Sequence, residues 1–400
     1  MTQVLMLTCQ YMPDVFGGAE KQCQRVATGL AAHGQQVQVL TSTQQWAARG
    51  LSQEAAVAVH RLWVPAAPDL LGRWLLFSLW WWLAVMAWGW RHRRSIDVVH
   101  CHQGKFGAFV GTCLGRLLGK PVLIKIGNSE DEMDLRCLQR KALVGKPMTR
   151  FVLRQRPLFV AISAVIERNL REFGCQDVLR IPNGVPVSLA QPAPESGAAG
   201  ALSDGPQFFY HGRIEEIKRV DVLIAAFAAL VPELPPGSKL HIVGDGAGLP
   251  AARAAAAALG PLAARVVFHG ALPQAVAFVQ RFDVFVNASR AEGFSNSLLE
   301  ALVLGKPMVS TPVSGAAEAI VDGVNGQLAT AFDAAALAAA MRRALPLLDA
   351  EGLVRAQAAS ARLVDEVFAM PRVVQRYEAL YPRLVEAAGS AGAAGAAGWS

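Results

Sequence analysis

SRAEGFSNSLLEAL, residues 289–302, closely follows the apolar run FDVFV (282–286). The pattern predicts a strand, a turn at Gly293 and a helix from about Ser295. Glu292 then sits at the mouth of the strand, and Glu300 lies over a turn into the helix. The small polar residues Ser295, Asn296 and Ser297 place free backbone N–H groups at the helix start, which attract an anion. Two acids around such a site can hold the hydroxyls of a sugar and a ribose. Alternatively, Ser295 merely caps a helix and both acids are solvated.

The chain has 400 residues, long for one hydrophobic core, so two domains are expected. With 53% hydrophobic and 17% charged residues it is not a disordered chain. A net charge of +7 favours an anionic partner. No long Lys/Arg run or aromatic-studded basic patch accompanies it, which argues against nucleic acid. The six cysteines lack C-x-x-C spacing and read as thiols in a reducing compartment. MTQVLMLTCQYMP has no basic n-region and reads as a strand, so no signal peptide is expected.

Both halves share one rhythm. VLMLT (4–8) is a buried parallel strand by type, followed by Gly17-Gly18 and a helix over 19–33, then the strand QVQVLTS (36–42). Gly17 and Gly18 allow a close backbone approach to a ligand, and the helix N–H groups face the same place. The pair is not G-x-G-x-x-G, so no dinucleotide site is indicated. SIDVVHCHQGKFG (95–107) is a strand whose C-terminal end carries His100 and His102, pointing the same way. Cys101 points oppositely and no acid completes a metal set, so a hydrogen-bonding His102 in a ligand cleft is favoured over a metal site or a merely structural pair. AQPAPESGAAGALSDGPQ (190–207) has a linker composition. Beyond it come FFYHGRI (208–214), a helix over 220–231 and the strand KLHIVGDG (239–246). Arg213 and Lys218 lie in the first strand–helix loop, where both can reach phosphate oxygens. Gly244-Asp245-Gly246 is a turn that brings backbone close to a bound group. The expected domains are 1–190 and 207–370, joined by a linker over 191–206. A helix over 371–389 crosses back to the first domain, and a disordered tail covers 390–400.

WLLFSLWWWLAVMAWGW (74–90) holds six of the nine tryptophans and no charge, between Arg73 and the run Arg91-His92-Arg93-Arg94. It is short for a span and rich in interfacial aromatics. The favoured reading is a helix lying on anionic lipid; a core helix and a true span are the alternatives.

The segments FGGAEK (16–21), DVVHCH (97–102), IPNGV (181–185), GRIEEIKRVDVLI (212–224), IVGDG (242–246) and AEGFSNSLLEALVLGKPMVST (291–311) occur in one order and spacing. In these the chain resembles the retaining, nucleotide-sugar-dependent glycosyltransferases of the GT-B fold, the family 4-like group 1 enzymes that build bacterial polysaccharides and glycolipids. The resemblance covers nearly all of residues 3–385. It implies two Rossmann-like α/β/α domains with parallel sheets facing a central cleft. Glu292 would contact the transferred sugar and Glu300 the ribose. Arg213 and Lys218 would grip the diphosphate, with backbone donors from Phe294, Ser295, Asn296, Ser297 and Leu298. Gly212 and the Gly244-Asp245-Gly246 turn join the nucleotide-sugar side. Gly17 and Gly18 would face the phosphates and acceptor across the cleft, and His102, rather than His100, would stand near the sugar's primary hydroxyl.

The implied reaction is retaining transfer of a hexosyl group from a UDP- or GDP-sugar to a glycan or lipid-linked acceptor. No Asp-x-Asp metal motif lies in a suitable loop, so no metal ion or further cofactor is expected. The expected place is the cytoplasmic, inner face of the cell membrane, by peripheral contact. A GT-B-shaped sugar-nucleotide epimerase would not need the Trp-rich helix. A non-catalytic two-lobed binding protein of periplasmic type would need an export signal. GRIEEIK has Ile217 where Glu is commoner in the family, and the Trp-rich segment is unusually dense.

Overall fold

The structure is a computed structural model that describes residues 1–11, 17–65, 73–191 and 204–391. Phe16 of the first glycine motif lies outside these residues, as do most of the predicted linker and tail. The chain divides into two compact units, residues 1–184 with 370–400, and residues 185–369. The boundary falls before the predicted 190 because the 3-10 turn Val187–Ala190 belongs to the second unit. There Gln280 Nε2 donates to Leu189 O at 3.1 Å.

Eight strands build the sheet of the first unit: β1 (Gln3–Leu7), β2 (Gln36–Thr43), β3 (Gly50–Glu54), β4 (Val57–Trp63), β5 (Val98–Cys101), β6 (Val122–Ile126), β7 (Leu158–Ala161) and β8 (Val178–Arg180). Their order is β3-β4-β2-β1-β5-β6-β7-β8. Every neighbouring pair is parallel except β3 with β4. β1 is buried on both faces, as a parallel strand must be. The chain runs outward from β1 in one direction through β2 and β4, then in the other from β5 onward. The direction therefore switches between β1 and β5, and ligands of open α/β sheets bind beyond the carboxyl ends at such a point. Met6 faces the helix α1 (Gly18–Ala32) and the C-terminal helix Met370–Ala391, sharing one core with Val26, Leu30, Tyr377 and Tyr381. Leu7, Val99 and Cys101 face the opposite helix Phe106–Leu118, where Cys101 Sγ stands 2.0 Å from where a Cβ on Gly111 would be.

The Trp-rich segment is a helix, Arg73–Arg91. Ser78, Trp81, Val85 and Gly89 are buried along one stripe, at helical spacing. Trp81 is fully buried, with its ring centroid 6.0 Å from that of Phe106. Leu79, Trp80, Leu83 and Trp90 are exposed on the other side. The helix is thus a core helix on one face and an apolar surface on the other. Among the described residues, no helix is long and apolar enough to cross a membrane.

The second unit has six parallel strands: β9 (Gln207–His211), β10 (Lys239–Val243), β11 (Val266–Gly270), β12 (Val284–Asn287), β13 (Met308–Ser310) and β14 (Gly326–Leu328). Their order, β11-β10-β9-β12-β13-β14, is the Rossmann order with its switch point between β9 and β12. Val220–Leu230 and Ala334–Ala344 cover one face, with Leu223, Phe227, Leu337 and Met341 in the core beside Phe208 and Leu240.

Candidate active site

In the second unit, the loops leaving β9 and β12 meet at the switch point. β9 ends at His211, and Gly212 follows with φ of 147°. Gly244 beyond β10 has the same φ, and a Cβ there would stand 1.9 Å from Gly212 O. Gly246 repeats the device, since its Cβ would meet Ile214 O at 2.4 Å. Only glycine combines that backbone with that approach. The two loops are tied by Gly212 N–H donating to Val243 O at 3.0 Å and Ile214 N–H to Asp245 O at 2.8 Å.

Across the switch point, Arg290 N–H donates to Ile217 O at 2.9 Å, which fastens the β12 loop to the basic loop. Lys218 Nζ lies 2.5 Å from Glu292 Oε1. Arg213 Nη1 lies 2.8 Å from Glu215 Oε1, with its side chain 58% exposed and free to swing. Tyr210 OH donates to Arg213 O at 2.7 Å and fixes that loop from beneath. Burial raises the Tyr210 phenol strongly, with Glu292 and Glu215 adding to it, so it stays a neutral donor.

Both acids occupy built environments. Glu300 is 3% exposed, and His211 Nδ1 stands 3.8 Å from its Oε2. The solvated alternative therefore does not hold for Glu300. Glu292 Oε1 also lies 2.8 Å from Ser289 Oγ, which is in turn 2.7 Å from Asn287 Oδ1. One hydroxyl proton serves either acceptor, so this buried chain orients the carboxylate rather than neutralising it. Asn287 Nδ2 donates onward to Ser310 Oγ at 3.1 Å. Ser289, Asn287 and Tyr210 escaped the sequence reading, because a buried Ser or Asn at a strand end looks like ordinary turn chemistry.

The helix after Gly293 runs Asn296–Val303, with Ser295 as its cap. Ser295 Oγ accepts from Leu298 N–H at 3.4 Å. The Leu298 N–H is thus engaged by the cap in this structure. Phe294 is buried and packs edge-on against Phe368, at 5.4 Å between centroids. Its ring fills the space over Gly315, where a Cβ would meet it at 2.6 Å.

In the first unit, Gly17 is the N-cap of α1 and Gly18 its first residue. A Cβ on Gly17 would stand 2.0 Å from Glu20 Oε2. Glu20 Oε1 accepts from Gln103 Nε2 at 3.0 Å, linking the α1 start to the loop after β5. His102 is the first residue beyond β5, and its N–H continues the sheet to Leu7 O at 3.0 Å. His100 and His102 stack at 4.2 Å, and burial holds both imidazoles well below their ordinary value, with Lys125 adding to it. Asp134, unforeseen in the sequence, ties two ligand-edge loops together. Its Oδ2 accepts from Gly104 N–H at 3.0 Å and Gly127 N–H at 3.2 Å. Among the described residues, no group of three His, Cys, Asp or Glu is placed to hold a metal ion.

Each unit is therefore a doubly wound α/β unit with its candidate residues at the switch point, the architecture of a two-domain group transferase. The family model "Glycosyl transferases group 1" matches residues 205–346, and "Glycosyl transferase 4-like domain" matches residues 17–184. The chain belongs to this glycosyltransferase family and has the GT-B fold. It is similar to N-acetyl-alpha-D-glucosaminyl L-malate synthase of Bacillus anthracis, 26% identical over 295 residues, 72% of this chain and 75% of that one. The solved sucrose-phosphate synthase of Thermosynechococcus elongatus superposes with a TM-score of 0.81 at 20% identity, covering 97% of this chain and 100% of that one. HepE of Anabaena, solved in complex with UDP, gives 0.74 at 18% identity, covering 96% of this chain and 100% of that one.

Proposed function

We propose that the chain transfers a hexosyl group, with retention and without a metal ion, from a UDP- or GDP-sugar to a hydroxyl of a glycan or lipid-linked glycan. The observation that carries this reading is the Lys218–Glu292 pair at the switch point, flanked by Arg213 and the capped helix start. UDP in the HepE complex supports a nucleoside-diphosphate donor. In the transfer, the bond from sugar carbon 1 to the diphosphate oxygen breaks and a bond to the acceptor oxygen forms. The sugar gains oxocarbenium-like charge while negative charge builds on the departing phosphate. Lys218 exchanges the Glu292 carboxylate for that phosphate, and Arg213 swings from Glu215 to join it. Glu292 is released to the sugar, held in place by Ser289. Glu300 takes the ribose hydroxyls, and His102 stands beside the sugar's primary hydroxyl.

Fixed positive partners of this kind contribute on the order of 3–4 kcal/mol to a transition state. Arg213→Ala or Lys218→Ala therefore lowers turnover by roughly 100-fold or more. A panel of labelled UDP- and GDP-sugars with lipid extract as acceptor reads this out. Unchanged turnover in either variant removes the assigned role; an epimerised donor instead of transfer supports an epimerase; binding without reaction supports a binding protein.

The same proposal places the enzyme on the cytoplasmic face of an anionic membrane. Leu79, Trp80, Leu83 and Trp90 form an exposed apolar strip, and Arg91, Arg93 and Arg94 are exposed at its end. Such a strip with a basic terminus suits an anionic interface. Replacing Leu79, Trp80 and Leu83 by Ser is expected to abolish flotation with anionic liposomes. Flotation that survives the triple change refutes the contact.

A further inference from the structure

A groove of about 400 Å³ opens at the edge of the first unit's sheet opposite the switch-point loops, wholly within that unit. It lies among the starts of β6 and β7, the ends of the helices Phe106–Leu118 and Gly145–Arg154, and the last turns of the C-terminal helix Met370–Ala391. Its size falls in the range of small-molecule sites, roughly 300–1,000 Å³. None of the residues proposed for glycosyl transfer lines it.

Local sequence builds this place. Gly115 lets the helix Phe106–Leu118 approach β6, since a Cβ there would stand 2.1 Å from Val122 Cγ2. Gly119 then ends the helix with φ of 64°, and Lys120 N–H donates back to Gly115 O at 2.9 Å. Arg116 and Lys120, on either side of that turn, both line the groove. Arg156 follows the helix Gly145–Arg154 with φ of 47°, a left-handed backbone that glycine usually takes after a helix. An arginine stands there instead, and it too lines the groove.

The lining is divided in its chemistry. Arg116, Lys120 and Arg156 are cationic, and among the described residues no carboxylate lines the groove. Two acids stand outside the lining: Lys120 Nζ lies 3.4 Å from Asp97 Oδ1, and Arg156 Nε lies 3.3 Å from Asp177 Oδ2. Asp97 is shared, because its Oδ2 also accepts from Gln3 N–H at 2.9 Å. Arg116 donates to the neutral Gln155 Oε1 at 3.1 Å and has no ion pair among the described residues. Positive charge is therefore in excess. Val122, Leu158 and Leu384 supply apolar lining. An anion with an apolar part satisfies both halves, whereas a bare anion leaves the apolar half wet.

The adjoining surface decides which anion. Gly89 of the Trp-rich helix packs on Leu114, where a Cβ would meet Cδ1 at 2.4 Å. The exposed Arg91, Arg93 and Arg94 follow, and Asp97 beyond them pairs with Lys120 at the start of β5. The groove thus continues the basic end of the proposed membrane strip.

We infer that the groove holds one anionic phospholipid, its phosphate among Arg116, Lys120 and Arg156 and the start of an acyl chain along Val122, Leu158 and Leu384. This rests on the proposed membrane contact and gives it a saturable site. The strip adsorbs to the interface, and the groove selects a lipid by charge. Two attachments on one unit fix its orientation on the bilayer, which a single helix does not.

The test is calorimetry of the full-length protein with dihexanoyl lipids held below their micelle concentration, so that no bilayer is present. Phosphatidylglycerol and phosphatidylcholine share the phosphate and chains and differ in net charge. The wild type is expected to bind one phosphatidylglycerol at least about tenfold more tightly than phosphatidylcholine or inorganic phosphate. Arg116→Gln and Lys120→Gln are each expected to weaken that binding about fivefold. Ala388→Glu sets a carboxylate in the lining and is expected to abolish it. Melting temperatures taken alongside separate lost binding from lost folding. Binding that survives in all three variants, or equal binding of phosphatidylcholine, overturns the inference. Equal binding of inorganic phosphate, or tighter binding of hexaglutamate, gives the groove to another ligand and overturns it as well. Liposome flotation reports separately on the strip. Binding of monomeric phosphatidylglycerol without flotation refutes the strip and upholds the groove; flotation without monomer binding overturns the groove alone.

Discussion

Replacing Lys125 by Met is expected to make the ligand-free protein more stable. Burial lowers the Lys125 ammonium from 10.5 to about 8, with Cys23 acting weakly in the other direction. At 1.36 kcal/mol per pH unit, that difference corresponds to about 3 kcal/mol of destabilisation. The sign follows from proton counting. Below pH 8 the lysine is charged in both folded and unfolded chains, and the folded state carries the whole penalty. Between pH 8 and 10.5 the unfolded chain holds the proton that the folded chain has lost, so stability rises with pH. Above that range the ammonium contributes no penalty. Methionine keeps the apolar stem and length without the charge, so Lys125→Met removes the cost at neutral pH. For a unit of this size about 3 kcal/mol corresponds to an increase of at least roughly 6 °C in melting temperature. The second unit, residues 185–369, contains no tryptophan, so tryptophan fluorescence follows the unfolding of the first without interference from it. Denaturant titrations at pH 7, 9 and 10.5 are expected to show a gap between variant and wild type that narrows as pH rises. The other titratable groups on its face of the sheet, His100, His102, Cys23, Tyr377 and Tyr381, are common to both proteins and cancel in the difference. A variant less stable than wild type at pH 7, or a gap that does not change with pH, refutes a buried unpaired charge.

His100 and His102 are held neutral by burial, and Lys125 reinforces this. Their folded values are depressed, so their effect is absent above about pH 6.5 and stability is lost as pH falls below it. Urea midpoints of the first unit are expected to drop between pH 7.5 and 5, and His102→Gln to flatten the slope. Trp81→Ser empties a fully buried site and is expected to cost about 3–5 kcal/mol, whereas exposed Leu83→Ser stays within about 0.5 kcal/mol; denaturant midpoints measure both. Gly244→Ala forces a Cβ against Gly212 O and away from its required backbone. It is expected to destabilise the second unit by at least about 2 kcal/mol and to weaken UDP or GDP binding, read by calorimetry of the full chain.

The parallel strands were legible because each is a short apolar run ending in a glycine or polar turn, and a sheet covered on both faces demands that pattern. β3 was not: GLSQE is a polar edge strand with no buried residue, so no periodicity marks it. Glu292, Glu300, Arg213 and Lys218 could be picked out because charged residues beside glycine turns at strand ends have few structural uses. The engagement of Lys218 with Glu292 was not legible, since it depends on the β9 and β12 loops meeting although 74 residues separate the pair. The Trp-rich segment shows the limit most directly. Trp80 and Trp81 are adjacent and identical in type, yet one is exposed and the other fully buried, because helical rotation alone assigns them to different faces.

Lys125 carries the same limit to its end. Nothing within VLIKI marks its single lysine as enclosed, but β6 is interior and both its faces are covered. The cover over Lys125 includes Tyr377 and Tyr381, about 250 positions later in the chain. Its burial is therefore a property of the return of the C-terminal helix Met370–Ala391 onto α1, and no local window contains it. The same return places Tyr381 against His100 and leaves the His102 ring nitrogens and the Lys125 ammonium buried without a hydrogen bond. A buried ammonium that finds no hydrogen bond among the described residues destabilises the fold that encloses it. Lys125→Met keeps the stem that packs beneath the returning helix and removes only the charge, so the cost should vanish while the helix stays in place.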